Sequence, residues 1–145
     1  MIYHIFREES DIMPHPVKII SGDITIKAEL NDSSTAQAIK AVLPVSALTN
    51  RWGDEIYFAV PVNAEEEPDA RSEMEIGELA FWPPGRAFCI FFGVTPLSIN
   101  EKPRAASLVN PIGKLLDPVD SLLDVQSGQE IRVELAKERG AVSQF

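Results

Sequence analysis

The stretch that decides the fold, residues 80–96, reads Ala-Phe-Trp-Pro-Pro-Gly-Arg-Ala-Phe-Cys-Ile-Phe-Phe-Gly-Val-Thr-Pro. It predicts a β-hairpin, with strands over residues 79–82 and 87–92 and a tight turn over residues 83–86. Proline suits the second position of such a turn because its φ is preset. Glycine suits the third position because a type II turn has a positive φ there.

The returning strand is apolar at every position. Because side chains alternate along a strand, Phe88, Ile90 and Phe92 face one side, and Cys89 and Phe91 face the other. A strand that is apolar on both faces does not lie with one face in water. We therefore expect each face to be covered by a core, a partner or a ligand.

The length and composition predict one folded domain with its own core, in a chain of 145 residues of which 45% are hydrophobic. We divide the chain into an N-terminal extension (residues 1–16), the folded domain (residues 17–135) and a C-terminal tail (residues 136–145). The single cysteine, Cys89, excludes an internal disulfide and favours a reducing compartment. The sequence has neither a signal-peptide pattern nor an apolar run of about 20 residues, so we expect a cytoplasmic protein that binds no membrane.

The charge distribution argues against a nucleic-acid partner. The formal net charge is −9, and the lysines and arginines form no cluster that would contact phosphates. Much of the acidity lies in Glu65, Glu66, Glu67 and Asp69, which we interpret as part of a solvated loop.

Two short helices are predicted among many short strands. Ser34 and Gln37 have the spacing of a capping box and predict a helix that ends before Pro44. Asp117 predicts the N-cap of a second helix, whose buried stripe is Val119, Leu122 and Leu123. The other predicted segments are strands at residues 17–20, 24–30, 55–60, 108–116 and 130–135, and a long polar loop at residues 94–107. This pattern is typical of a mainly β protein, and we expect a closed β-barrel of about eight strands with two short helices.

The order of these elements resembles that of the cyclophilin barrel. Phe91-Phe92 with Thr95 is similar to a Phe-Phe-x-x-Thr region of cyclophilins, and the strand with Ile112-Gly113-Lys114-Leu115 resembles the one that carries their Phe-Gly-Lys-Val. Residues 50–58 and 82–96 look like segments of a small prokaryotic cyclophilin-like family of uncharacterised function. The resemblance covers residues 17–135 and implies a cyclophilin-like fold. The Phe-His-Arg and Gln-Gly-Gly motifs of cyclophilins are absent.

Our leading functional hypothesis is a binding module that accepts a small molecule or a short peptide in an aromatic-lined groove. The candidate lining residues are Trp52, Tyr57, Phe81, Trp82 and Phe91, with Arg51, Glu55 and Asn110 as polar anchors. The resemblance implies an alternative, a peptidyl-prolyl cis-trans isomerase that binds a proline-containing peptide and uses Arg51 to polarise the imide. A weaker alternative follows from resemblance to cyclophilin-like domains of urea- and oxoproline-processing enzymes. In that role the chain would assist amide hydrolysis with a protein partner.

A structural role is the competing interpretation for each of these residues, since aromatic side chains usually belong to the core. Asp54 and Glu55 are adjacent, so on a strand they face opposite sides and do not form a catalytic pair. Cys89 is interpreted as a buried, inert thiol. His4 and His15 lie in the expected extension, so we expect no metal site, and no sequence motif indicates a cofactor.

Overall fold

Ten β-strands and one α-helix form the part of the chain that the computed structural model describes, residues 15–136. They are β1 (His15–Ser21), β2 (Ile24–Leu30), α1 (Ser34–Val42), β3 (Val45–Leu48), β4 (Asn50–Trp52), β5 (Glu55–Ala59), β6 (Arg71–Glu73), β7 (Glu78–Trp82), β8 (Ala87–Phe91), β9 (Arg104–Leu115) and β10 (Glu130–Leu135). The expected extension and tail lie almost wholly outside the described residues. None of the described helices is long and apolar enough to span a membrane.

The strands form one antiparallel sheet in the order β3-β10-β1-β2-β9-β7-β8-β5-β4, and β6 pairs with β9 beside this path. The mainly β architecture is therefore confirmed, but the expected closed barrel of about eight strands is wrong. Within residues 15–136, no ladder joins β3 to β4, which end the path at opposite edges. β3 and β4 do not pair with each other because they follow one another in the chain, separated only by Thr49. The residues before Thr49 pair with β10, and the residues after it pair with β5.

Both faces of β8 are buried, as the sequence predicts. Phe88, Ile90 and the following Phe92 belong to the main core, where the ring of Phe88 stacks on Phe58 with centroids 5.1 Å apart. Cys89 belongs to a second group of buried residues on the opposite face, which we call the outer cluster. Its buried members are Met74, Ala80, Ala87, Cys89, Phe91, Ala105 and Val109, and the half-buried Tyr57 and Trp82 pack against it. Full burial of one large apolar side chain stabilises the fold by roughly 1.5–3 kcal/mol, so neither face of β8 is dispensable.

The turn between β7 and β8 differs from the expected type II turn. Pro83–Gly85 form one turn of 3₁₀-helix, and the left-handed residue is Arg86, with φ of 48°. Gly85 is needed for another reason, since a Cβ at this position would lie 2.7 Å from the ring of Trp82. The glycine therefore allows this ring to pack directly against the turn.

Helix α1 is capped one residue earlier than expected. Ser33 is the N-cap, and its Oγ accepts a hydrogen bond from the backbone N–H of Ala36 at 3.1 Å. Gln37 donates to the carbonyl oxygen of Asp32 at 2.8 Å, so the capping box expected from Ser34 does not form. The helix ends at Val42, shortly before the proline that was expected to stop it.

The acidic segment is a loop in which Glu65, Glu66 and Asp69 are exposed, as expected, but Glu67 is half-buried and holds the segment against α1. The carboxylate of Glu67 accepts hydrogen bonds from the backbone N–H of Thr35, at 3.0 Å, and from the Thr35 hydroxyl. A negative charge is favourable here because the first turn of a helix leaves N–H groups free. The buried Asn110 fixes the segment. Its amide accepts from the N–H of Glu67 at 2.9 Å, and donates to the carbonyl of Glu65 at 2.9 Å and to the Thr35 hydroxyl at 3.1 Å.

The second predicted helix is replaced by a short 3₁₀-helix, Asp120–Asp124. Asp117 does not cap it, because its carboxylate accepts the backbone N–H of Lys27 at 2.8 Å. Leu122 is buried but Leu123 is exposed, so the expected apolar stripe is only partly correct. A helix of this length turns too little to present a continuous stripe.

We expect Asn110→Ala to lower the free energy of unfolding by about 2 kcal/mol, because it leaves the part-buried carbonyl of Glu65 and the part-buried N–H of Glu67 without their partners. Urea denaturation at neutral pH measures the change. Asn50→Ala is the control, since the exposed Asn50 amide makes a single hydrogen bond of 3.4 Å. Equal effects of the two substitutions would contradict the anchoring role of Asn110.

Candidate functional site

A pocket of about 190 Å³ opens beside the outer cluster, between β4, β5, β7 and β9. Its lining residues are Trp52, Glu55, Tyr57, Trp82, Ala105, Ala106 and Val109. Four of them were predicted as binding residues from the sequence, and the structure brings those four together. Three aromatic rings and one carboxyl group therefore surround a single small space.

Strand alternation explains why these side chains meet. Glu55 and Tyr57 project from the same face of β5, and their partners on β8 are Phe91 and Cys89 of the outer cluster. On β7, the ring of Trp82 is fixed by a hydrogen bond of 2.6 Å from its Nε1 to the Ser107 hydroxyl. The pocket is thus built largely on paired strands, which hold its walls in defined positions.

Glu55 is buried in an unusual way for a carboxylic acid. Only 5% of its surface is exposed, and its Oε1 has no hydrogen-bond partner among the described residues. Burial raises the pKa of Glu55 to about 7, and the neighbouring Cys89 thiol opposes part of this rise. Desolvation disfavours a charged carboxylate, so the proton is retained to near neutral pH. Cys89 is buried too, and desolvation, followed by the charge of Glu55, raises the pKa of its thiol.

Arg51 lies apart from the pocket lining. Its Nη1 donates to the carbonyl oxygens of Leu123 at 3.0 Å and Val125 at 2.9 Å, and its Nη2 pairs with Asp54 at 2.9 Å. The guanidinium also lies 4.9 Å from the centre of the Phe92 ring. These contacts join the end of the 3₁₀-helix Asp120–Asp124 to β4, where Arg51 lies. They also place the Arg51 guanidinium beside Phe92 of the main core.

The remaining predicted site residues do not line the pocket. Phe81 is fully buried in the main core, on the opposite face of β7 from Trp82. Phe91 is fully buried in the outer cluster. Asn110 holds the acidic segment, as described above. His15 pairs with Asp32 at 2.9 Å, and His4 lies outside the described residues. No group of residues suited to a metal ion occurs within residues 15–136.

Three lining residues were missed by the sequence analysis: Ala105, Ala106 and Val109. Ala105 and Ala106 fell in the predicted loop over residues 94–107, whereas β9 begins at Arg104 and continues through Pro111. The strand tolerates this proline because its register with β7 shifts next to it. The small alanine side chains leave the space that the aromatic rings surround, and nothing in their local sequence indicates this role.

A larger cleft of about 540 Å³ lies elsewhere, and it has less of the character of a binding site. No aromatic residue lines it. Its acidic side chains are already paired, Glu29 with Lys114 at 3.8 Å and Glu78 with Arg71 at 2.6 Å, for example. We therefore place the candidate site at the aromatic pocket, where a buried polar atom lacks a partner.

Comparison with known proteins defines the family. The family model described as Cyclophilin-like matches residues 15–134. The chain belongs to the cyclophilin-like family. The hypothetical protein AF2241 from Archaeoglobus fulgidus, solved in solution, is 38% identical with a TM-score of 0.74, over 86% of this chain and 97% of that one.

A more distant structure, McbB in complex with tryptophan, is 14% identical with a TM-score of 0.61, over 84% of this chain and 45% of McbB. At this identity the likeness shows the fold alone. The expected family and the cyclophilin-like fold are thus confirmed. A search of the curated proteins finds no match.

We expect Glu55 to make stability depend on pH in an unusual direction. In the folded protein its pKa of about 7 lies above the ordinary value of 4.5 for a glutamate side chain. Its protonated form therefore stabilises the fold fully below about pH 4.5, and this contribution is lost as the pH rises through about 7. Between pH 5 and pH 8, the free energy of unfolding should fall by about 2 to 3 kcal/mol relative to Glu55→Gln.

Denaturant unfolding at several pH values measures this difference. Glu66→Gln is the matched control, because Glu66 is exposed and its variant should follow the wild-type profile. Parallel profiles for wild type and Glu55→Gln would contradict the buried state of the Glu55 carboxyl group.

Proposed function

We propose that this protein is a binding module whose aromatic pocket accepts a small organic molecule. The observation that carries the proposal is the pocket itself, which Trp52, Tyr57 and Trp82 line together with Glu55, a residue whose Oε1 has no hydrogen-bond partner among the described residues. Ligand sites are typically apolar with a few polar groups that orient the ligand. This pocket has that composition.

The pocket volume favours a small molecule over a peptide. Sites for drug-sized ligands enclose roughly 300–1,000 Å³, whereas a cavity of about 150 Å³ is enough for a benzene ring. At about 190 Å³, this pocket fits one ring with a short polar arm. A peptide would place at most one side chain in it.

The isomerase alternative has less support. It requires a guanidinium beside the bound proline, and that of Arg51 is engaged by backbone carbonyls and Asp54 outside the pocket lining. The accessory role in amide hydrolysis is a hypothesis that rests on the resemblance alone. A protease-coupled assay with a proline tetrapeptide tests the isomerase, and acceleration that depends on Arg51 would favour it over the binding module.

Intrinsic fluorescence tests the binding proposal directly, because both tryptophans of the chain line the pocket. We expect at least one of benzyl alcohol, benzylamine and benzoate to change the fluorescence saturably at millimolar concentration. Ala106→Leu should abolish this change, since the added side chain fills the pocket from an exposed position.

Ala41→Leu is the matched control, an exposed alanine of α1 that does not line the pocket, and it should bind like the wild type. The proposal is wrong if none of the three compounds binds, or if Ala106→Leu binds them as the wild type does. Thermal denaturation confirms that both variants are folded.

A further inference from the structure

The pocket is lined by one acidic residue and by no basic residue. Glu55 contributes a carboxyl group, and no lysine, arginine or histidine occurs among the seven lining residues. The acidic residues of the larger cleft have basic partners, as Glu78 has with Arg71. Glu55 instead keeps an oxygen without a partner while 95% of its surface is buried.

We propose that the ligand of this pocket is a small primary or secondary ammonium compound that carries one apolar ring. The inference rests on the proposed binding function and names its ligand class. An N–H of the ammonium donates to the carboxylate of Glu55, which lines the pocket, and the rings of Trp52, Tyr57 and Trp82 surround the rest of the ligand. Both contacts use groups that the folded chain already holds in place.

Two physical effects favour this ligand class. A charge-assisted hydrogen bond between an ammonium and a carboxylate is roughly twice as strong as a neutral one. Aromatic faces also attract a cation, most strongly when water is excluded. A quaternary ammonium has no N–H, so it cannot donate a hydrogen bond to the Glu55 carboxylate. An anionic ligand would meet a second negative charge in a desolvated space.

The ionisation of Glu55 separates an ammonium ligand from a neutral carbonyl ligand. The ammonium binds the carboxylate form, so its affinity rises with pH through the Glu55 pKa of about 7. A carbonyl oxygen would instead accept a hydrogen bond from the protonated acid, and its affinity would fall with pH. The titratable groups near Glu55 are the Cys89 thiol on β8 and Tyr57 of β5 itself, which lines the same pocket. The pKa of the thiol is raised, so it remains uncharged over this range.

The test measures the affinity of the full chain for benzylamine, benzyl alcohol and benzyltrimethylammonium by calorimetry at pH 6 and pH 8. Benzylamine remains protonated at both values. We expect its Kd to be about tenfold lower at pH 8, since the ionised fraction of Glu55 rises by about that factor when the pKa is near 7. Benzyltrimethylammonium should bind more weakly than benzylamine at pH 8.

Two variants complete the design. In Glu55→Gln, the pH dependence of benzylamine binding should disappear. Ala106→Leu should lose binding of every compound, which separates the pocket from weak attraction to the acidic surface. Because the pH dependence is measured in the wild type, the test stands even where Glu55→Gln fails to fold.

The outcomes separate this inference from the binding function. If benzyl alcohol binds in the pocket and benzylamine does not, or if affinity for benzylamine falls as the pH rises, the ammonium class is wrong and the binding module stands. If no compound binds in a manner sensitive to Ala106→Leu, the binding function fails as well.

Discussion

The burial of β8 on both faces is the constraint on which the rest of the molecule depends. The main core covers Phe88 and Ile90, and this alone would leave Cys89 and Phe91 in water. A second layer must therefore cover the outer face, and residues of β6, β7 and β9 with their neighbours provide it. The outer cluster is small, and the pocket opens where the rest of the chain does not completely cover its residues.

The position of Glu55 follows from the same constraint. Its strand pairs with β8 through Phe91, so strand alternation turns the carboxyl group toward the outer cluster rather than toward solvent. An unpaired charge in such surroundings is unfavourable, and the group responds by keeping its proton to a higher pH. Proteins tolerate arrangements of this kind mainly at functional sites, where they lower stability but create specific affinity.

Sequence reasoning succeeded where the cause is local. Period-two alternation predicted the two faces of β8, and the same rule, applied to β7, places Phe81 and Trp82 on opposite sides of the sheet. The prediction that both residues line one groove conflicts with this rule, because only Trp82 lies on the pocket side of β7. The Pro-Pro-Gly turn is a different case. The same three residues suit either turn type, and only the ring of Trp82 shows why Gly85 is present.

Sequence reasoning failed where the cause is distant. The carbonyl partners of Arg51 lie 72 and 74 residues away in the sequence. No local pattern therefore distinguishes an arginine that links two segments of the fold from one that binds a ligand. Ala105 and Ala106 matter because of the space that they leave. The open sheet has a similar explanation, since the change of pairing partner at Thr49 depends on where β5 and β10 lie in three dimensions.

The change of pairing partner at Thr49 also leaves the sheet with two short edge strands. An exposed edge strand offers free N–H and C=O groups that another chain can extend into a fibril-like sheet. Here the two terminal strands have only four and three residues, and they are consecutive in the chain. Strands this short offer little template for such growth, even though no ladder closes the sheet within residues 15–136.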